Sequence, residues 1–185
     1  DALGGTLSYG YDPVNRLNKI PNQNNQITRY TYDLMGRKTA VTDAAGGKTS
    51  YVHNGLDKIV SKKNPRGYST DYVYDAAGNL RKEIDALNNF ERYDYDPVYN
   101  ITKVTDRRGN AIAYAYDPLD RATEKKDESG FLSKYVYDAN SNMISMTDPK
   151  DGVWSRTYSP RDLLASRTLP EGQTETYAYD ENENL

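Results

Sequence analysis

The chain contains no cysteine and, among 185 residues, only one histidine, one tryptophan and two phenylalanines. Without cysteine there is no disulfide scaffold and no thiolate metal site. A single imidazole, His53, excludes any metal site built on two histidines within one chain. A Ser-His-Asp triad would have to be assembled on that same residue, and no nucleophile motif accompanies it. No apolar run approaches the length of a membrane-spanning helix. A strong charge of one sign is also missing: the formal net charge is −3, and the basic pairs Lys62-Lys63, Arg107-Arg108 and Lys125-Lys126 have acidic residues nearby. A nucleic-acid-binding face needs a sustained basic stripe, so nucleic acid is not an expected partner. Aliphatic residues are scarce and the mean hydropathy is −0.93.

Tyrosine fills that gap. The chain has 18 tyrosines, and all but Tyr68 and Tyr99 sit at two positions of one repeating pattern, Tyr-x-Tyr-Asp followed by a turn. The pattern occurs at Tyr9-Tyr11-Asp12, Tyr30-Tyr32-Asp33, Tyr72-Tyr74-Asp75, Tyr93-Tyr95-Asp96, Tyr114-Tyr116-Asp117, Tyr135-Tyr137-Asp138 and Tyr177-Tyr179-Asp180. Degenerate copies, in register, lie at Tyr51-Val52-His53-Asn54 and Arg156-Thr157-Tyr158-Ser159. Successive aspartates, such as Asp96, Asp117 and Asp138, are 21 residues apart. A period of this size marks a repeat architecture, which supplies a surface, spacer or container more readily than one catalytic cleft. Residues 1–185 therefore read as one array. Because it opens on Asp1 and ends just after a turn, it is expected to be a piece of a longer protein.

Each repeat holds two turn signals, such as Asp33-Leu34-Met35-Gly36 and Asp43-Ala44-Ala45-Gly46. The first-position Asp can accept hydrogen bonds from backbone N–H groups, and the fourth-position Gly tolerates positive φ. Between the turns lie Thr-, Val- and Tyr-rich segments of strand length. Two strands and two turns account for one period, so each repeat predicts a β-hairpin. In Tyr-x-Tyr both rings point to one face. The residue four after the Asp is often Arg, Lys or Asn, as at Arg16, Arg37, Asn79 and Arg121. An Arg there is expected to stack on a neighbouring tyrosine ring or pair with the turn Asp. Helices are excluded because the apolar residues lack helical spacing and Asp-x-x-Gly would break each one. The leucine-rich frame is absent, and choline-binding repeats rely on tryptophan, of which Trp154 is the only one.

The fold class is thus all-β: an antiparallel meander of about nine hairpins, roughly 18 strands spanning about 85 Å at the usual strand spacing. A sheet of that extent must twist, coil or close, so a curved or spiralling sheet is expected.

The frame Tyr-x-Tyr-Asp-x-x-Gly-Arg-Leu followed by Thr-Asp-x-x-Gly resembles the YD repeat of the Rhs and teneurin superfamily. The clearest copies are Tyr30 to Gly46 and Tyr72 to Leu80, with Tyr114 to Gly130 close behind. Some copies depart from it: His53 and Arg156 replace a Tyr, and Tyr99 and Asp120 replace the turn Gly, which should weaken those turns. The resemblance implies a segment of a hollow Rhs-type β-shell that, in bacterial members, commonly encloses a C-terminal toxic domain. Teneurin barrels serve cell-surface adhesion instead. No counterpart of the bacterial self-cleaving core segment is found.

No catalytic, cofactor-binding or metal-binding residue is expected. Asp43, Asp85, Asp106, Asp127 and Asp148 recur at one turn position and could align into a Ca²⁺-binding row, but Asn22 and Asn64 share the position, which favours turn capping. The residues expected to matter are structural: Tyr30, Tyr32, Asp33, Gly36, Arg37, Tyr72, Tyr74, Asp75, Gly78, Tyr93, Tyr95, Asp96, Tyr114, Tyr116, Asp117, Arg121, Tyr135, Tyr137 and Asp138. The expected function is a non-catalytic wall enclosing a cargo domain in a secreted or cell-surface bacterial protein, with neighbouring repeats and the cargo as partners. The alternative is an adhesion module whose tyrosines stack on glycans.

Overall fold

In the computed structural model residues 8–185 are described, and they form an all-β antiparallel meander of seventeen strands. The chain divides into two compact units, one up to Glu91 and one from Arg92. The first contains β1 (Gly10–Tyr11), β2 (Leu17–Pro21), β3 (Ile27–Tyr32), β4 (Lys38–Thr42), β5 (Lys48–His53), β6 (Ile59–Lys63), β7 (Ser69–Tyr74) and β8 (Leu80–Ile84), each paired with the next. The division falls inside β9 (Phe90–Tyr95). The second unit continues with β10 (Ile101–Thr105), β11 (Ala111–Tyr116), β12 (Ala122–Asp127), β13 (Leu132–Tyr137), β14 (Met143–Thr147), β15 (Val153–Tyr158), β16 (Leu164–Thr168) and β17 (Thr174–Thr176), again paired in order.

The turns follow one rule. In the first, the Asn15 N–H donates to the Asp12 carbonyl and the Asp12 N–H donates to the Arg16 carbonyl, both at 2.9 Å. This is a type I turn closed by a residue in the left-handed region, the three-residue hairpin loop. The same pair of bonds recurs at every hairpin turn of the described residues, from Asp12 to Asp180. The fourth turn residue always has positive φ. It is Gly at seven turns, including Gly36 (84°) and Gly46 (86°), and at others Asn15 (63°), Tyr99 (73°) or Asp120 (59°). Left-handed backbone costs an L-residue about 1–2 kcal/mol, so the repeat holds its turn shape even where the favoured residue is missing.

A second device was not foreseen. Opposite each Tyr-x-Tyr the pairing register slips by one. Thr31 faces Ala40 but Tyr32 faces Lys38, which leaves Thr39 as an extra residue. The same slip occurs beside Tyr74, Tyr116, Tyr137 and Tyr158. Such bulges add one residue to one strand and sharpen its twist. Their parity matters here. Following the pairs from Tyr30 to Val41 to Thr49 carries the chain 19 residues across one full hairpin. The next equivalent tyrosine, Tyr51, is therefore two positions further along β5, on the same face. Without the bulge the offset would be one residue, and alternation would throw each successive tyrosine to the opposite face.

With the bulge in place, the two faces differ in kind. One carries the tyrosines with Val41, Val104, Ile112, Met146 and Trp154 opposite or beside them. The other carries Thr31, Ala40, Ser50, Val52 and their equivalents. Only Ala40 and Ala111 are buried, at 3% and 5% exposure, so among the described residues there is no enclosed hydrophobic core. The repeat tyrosines from Tyr30 onward are half-buried by their neighbours in the same sheet, whereas Tyr9 and Tyr11 are exposed.

The turn geometry makes a test possible at Gly46, where an added Cβ would touch nothing within 4 Å. Gly46→Val is expected to lower unfolding stability by more than about 1 kcal/mol, through backbone strain alone. Asn25→Gly, at φ 58°, should change it by less than about 0.5 kcal/mol. Urea denaturation of both variants checks this.

Candidate functional site: the tyrosine–aspartate edge

In each unit the residues singled out from the sequence lie along one edge, where successive Tyr-x-Tyr-Asp turns are neighbours. The Asp33 carboxylate accepts backbone N–H bonds from Met35 and Arg37 through Oδ1, at 3.0 and 2.9 Å. Its Oδ2 accepts the Arg37 Nε–H at 2.7 Å. Thus one aspartate shapes its own turn with one oxygen and anchors an arginine with the other.

The arginine then leaves its repeat. Arg37 Nη1 donates to the carbonyl of Asn54, in the following turn of this edge, at 2.7 Å. Arg16 reaches the Asp33 carbonyl at 2.8 Å, and Arg121 reaches the Asp138 carbonyl at 2.8 Å. The guanidinium of Arg16 also lies over the Tyr32 ring, 4.9 Å from its centroid, and Arg121 lies 4.8 Å from that of Tyr137. Stacking and turn pairing, posed as alternatives from the sequence, occur together at these two arginines.

Tyrosine ties the repeats in the reverse direction. The hydroxyl of Tyr32 donates to the carbonyl of Leu17, fifteen residues earlier, at 2.8 Å. Tyr74, Tyr116, Tyr137 and Tyr158 do the same to Ile59, Ile101, Ala122 and Met143. At Tyr32 and Tyr137 the ring packs under an arginine while its polar end satisfies a backbone acceptor. Tyr30, Tyr72, Tyr93, Tyr95, Tyr114 and Tyr135 line the same half-buried face.

Where Asn replaces Arg the reach shortens: among the described residues Asn79 bonds only Asp75 of its own turn, but at two other repeats a link survives. Asn100 Nδ2 donates to Asp96 of its own turn at 3.1 Å and to Asp120 of the next at 2.7 Å. Asn142 bonds Asp138 and Asp162 in the same way. Gly36 and Gly78 occupy their left-handed positions, at 84° and 87°. Asp120, expected to weaken its turn, instead offers a side-chain acceptor that glycine lacks, which offsets its backbone strain.

The Asp43, Asp85, Asp106, Asp127 and Asp148 row lies at the other edge. Each directs Oδ1 to N–H groups of its own turn: Asp43 to Ala45 and Gly47, Asp106 to Arg108 and Asn110, Asp148 to Lys150 and Gly152. Asp85 and Asp127 likewise accept from Asn89 and Phe131, and Asn22 and Asn64 cap identically. No group of three or more His, Asp or Glu side chains is placed to hold a metal ion among the described residues. His53 takes the place of a tyrosine and faces Ile59.

Charge follows this geometry. The Arg37 side-chain hydrogen bond, foremost, holds the Asp33 carboxyl below its ordinary range, and Arg121 does so for Asp117. The Arg16 backbone N–H leads for Asp12. Burial pushes the Tyr116 and Tyr137 hydroxyls upward.

Two expectations follow. Tyr116→Phe, which deletes the bond to Ile101, should cost about 1 kcal/mol in unfolding free energy, whereas Tyr114→Phe in the same motif should cost much less; chemical denaturation separates them. Because the folded Asp pKa values are depressed, their contribution is complete above the unfolded value and is lost as pH falls through the folded one. Stability is therefore expected to be level near neutrality and to drop below about pH 4. The double variant Asp33→Asn, Asp117→Asn should show a shallower fall when unfolding midpoints are measured across that range.

Comparison with known proteins fits this picture. No curated protein matches the chain in sequence. Among solved structures, the chain is similar to part of the Photorhabdus luminescens Tc holotoxin pore containing a TccC3 point variant, with TM-score 0.67, 17% identity and 82% of this chain covered. It is also similar to TcdB2-TccC3 without its hypervariable C-terminal region (0.69, 17%, 85%) and to TcdB2-TccC3 itself (0.66, 15%, 90%). The chain spans 9%, 10% and 12% of those three structures, respectively. At such identity the likeness shows a shared fold. The Teneurin YD-shell family matches residues 4–148, most of the chain. With its tyrosine–aspartate hairpins stapled repeat to repeat, the chain belongs to the Teneurin YD-shell family.

Proposed function

We propose that this segment is non-catalytic wall in a shell that encloses a toxin or effector domain of a secreted or cell-surface bacterial protein. One observation carries the reading: each unit is a single sheet in which, among the described residues, only Ala40 or Ala111 is buried, while the bonds that hold it run from repeat to repeat. Such a sheet gains stability by continuing and separates two spaces, and it offers no enclosed cleft for chemistry. Among the Tc toxin structures to which it is similar, one was prepared without a hypervariable C-terminal region, which is in keeping with an exchangeable cargo. The tyrosines serve as mortar here. The Tyr32 and Tyr137 rings lie under Arg16 and Arg121, and the hydroxyls of Tyr32, Tyr74, Tyr116, Tyr137 and Tyr158 are engaged with backbone carbonyls, which favours wall over glycan platform.

Electron cryo-microscopy of the intact parent protein tests this. The expected result is a closed shell with density inside it, of which this segment is one stretch. An open array with its tyrosine face exposed and nothing enclosed would overturn encapsulation and favour cell-surface or glycan binding.

A further inference from the structure

The face opposite the tyrosines carries a group of cations that the wall itself does not use. In the unit ending at Glu91, one cross-strand row reads Gly10, Lys19, Arg29, Thr42, Lys48, and the adjoining row Thr31, Ala40, Ser50, Lys63, Ser69. Lys19, Arg29, Lys48 and Lys63 are all exposed. Lys19 and Arg29 stand directly opposite one another on neighbouring strands, about 5 Å apart at the backbone. Like charges so placed destabilise a sheet. None of the four has an acidic side chain within 4.0 Å among the described residues. The only strand carboxylate on this face of the unit, Asp71, accepts a hydrogen bond from Ser61. Between the cations the floor is made of small side chains, Thr31, Ala40, Thr42 and Ser50. A backbone lying across it meets no bulky side chain.

The rims limit what can lie there. One edge of this unit begins its turns with Asp12, Asp33, Asn54 and Asp75, the other with Asn22, Asp43, Asn64 and Asp85. The cations lie towards the second edge, beside the turns of Asn22, Asp43 and Asn64, two of which begin with a neutral side chain. A strand of five or six residues leaves about 17–20 Å between the rims. A long polyanion laid along the strands would run onto carboxylates at the rims, and one laid across them would leave the cations at β7, where Asp71 stands opposite Ser61; a short acidic peptide fits within both limits. We infer that Lys19, Arg29, Lys48 and Lys63 form a docking face for a short, extended, acidic polypeptide segment, supplied by the chain the shell encloses. The identity of that supplier rests on the encapsulation reading above; the chemistry of the face does not.

The test is fluorescence anisotropy of a labelled hexaglutamate peptide titrated with the 185-residue chain. Binding is expected, weakening as salt rises. The double variant Arg29→Glu, Lys48→Glu should lose more than about tenfold in affinity, and Lys62→Glu, on the tyrosine face opposite Tyr51, less than about threefold. Placing Glu opposite Lys19 replaces a repulsion by an attraction, so the double variant should fold at least as well; its urea midpoint verifies that. Absence of peptide binding, equal losses in the two variants, or equally tight binding of an oligothymidylate would each overturn the proposal. An empty shell in the intact parent would refute encapsulation while leaving the peptide affinities unchanged, so the two failures are separable.

Discussion

The whole array depends on the division of labour within one carboxylate. At Asp33, one oxygen organises the turn backbone and the other holds Arg37, so the turn is formed and a cross-link is aimed by the same group. Exposed ion pairs ordinarily contribute little, because long side chains are costly to order and water screens them. Here the arginine is ordered once and used three times, by its own Asp, by the next turn and, at Arg16 and Arg121, by a tyrosine ring. A bidentate fork is suited to that, and a lysine, as a point charge, is not. Lys58, at the equivalent position beside Asn54, shows no such bridge to the next turn; its side chain passes near Gly78 instead.

This economy explains how a sheet with almost no buried aliphatic residues holds its shape. Stability lies in a network of repeat-to-repeat bonds on a single layer, not in an interior. In such quasi-one-dimensional arrays each repeat is supported by its neighbours, and defects are local. The imperfect copies illustrate it: Ser159 caps its turn with Oγ where an aspartate is usual, and Asp162 accepts from Asn140 and Asn142 of the preceding repeat.

What could be read from the sequence was whatever lies within a turn or a strand. Asp43-Ala44-Ala45-Gly46 announces its turn because the carboxylate and the glycine each have one plain backbone use, and Tyr-x-Tyr announces its face by alternation. The links between repeats were legible only in part. Nothing in the neighbourhood of Tyr32 names the Leu17 carbonyl as its acceptor, and Arg37 does not reveal that a carbonyl 17 residues on completes its contacts. Thr39 as a bulge was hidden because it looks like any strand residue. A signal did exist: with two turns of one length in each repeat, a period of 21 leaves an odd number of strand residues, so an extra residue had to be lodged somewhere. The basic face was hidden for the same kind of reason, since Lys19, Arg29, Lys48 and Lys63 come together only through register.

The bulge has a further geometric consequence. Crossing one hairpin advances the chain 19 residues while the repeat advances 21, so equivalent residues are displaced by two positions along the strand every two strands. With about 3.3 Å per residue and about 4.8 Å between strands, the line joining equivalent tyrosines leans about 35° from the perpendicular to the strands. That is a stagger of one residue per strand, the ratio at which an eight-stranded barrel has a shear of eight and a tilt of about 36°. Shear and tilt are linked in any closed sheet. Each hairpin of this repeat therefore carries equivalent residues sideways along the strands, and that stagger is set by the one surplus residue opposite its Tyr-x-Tyr.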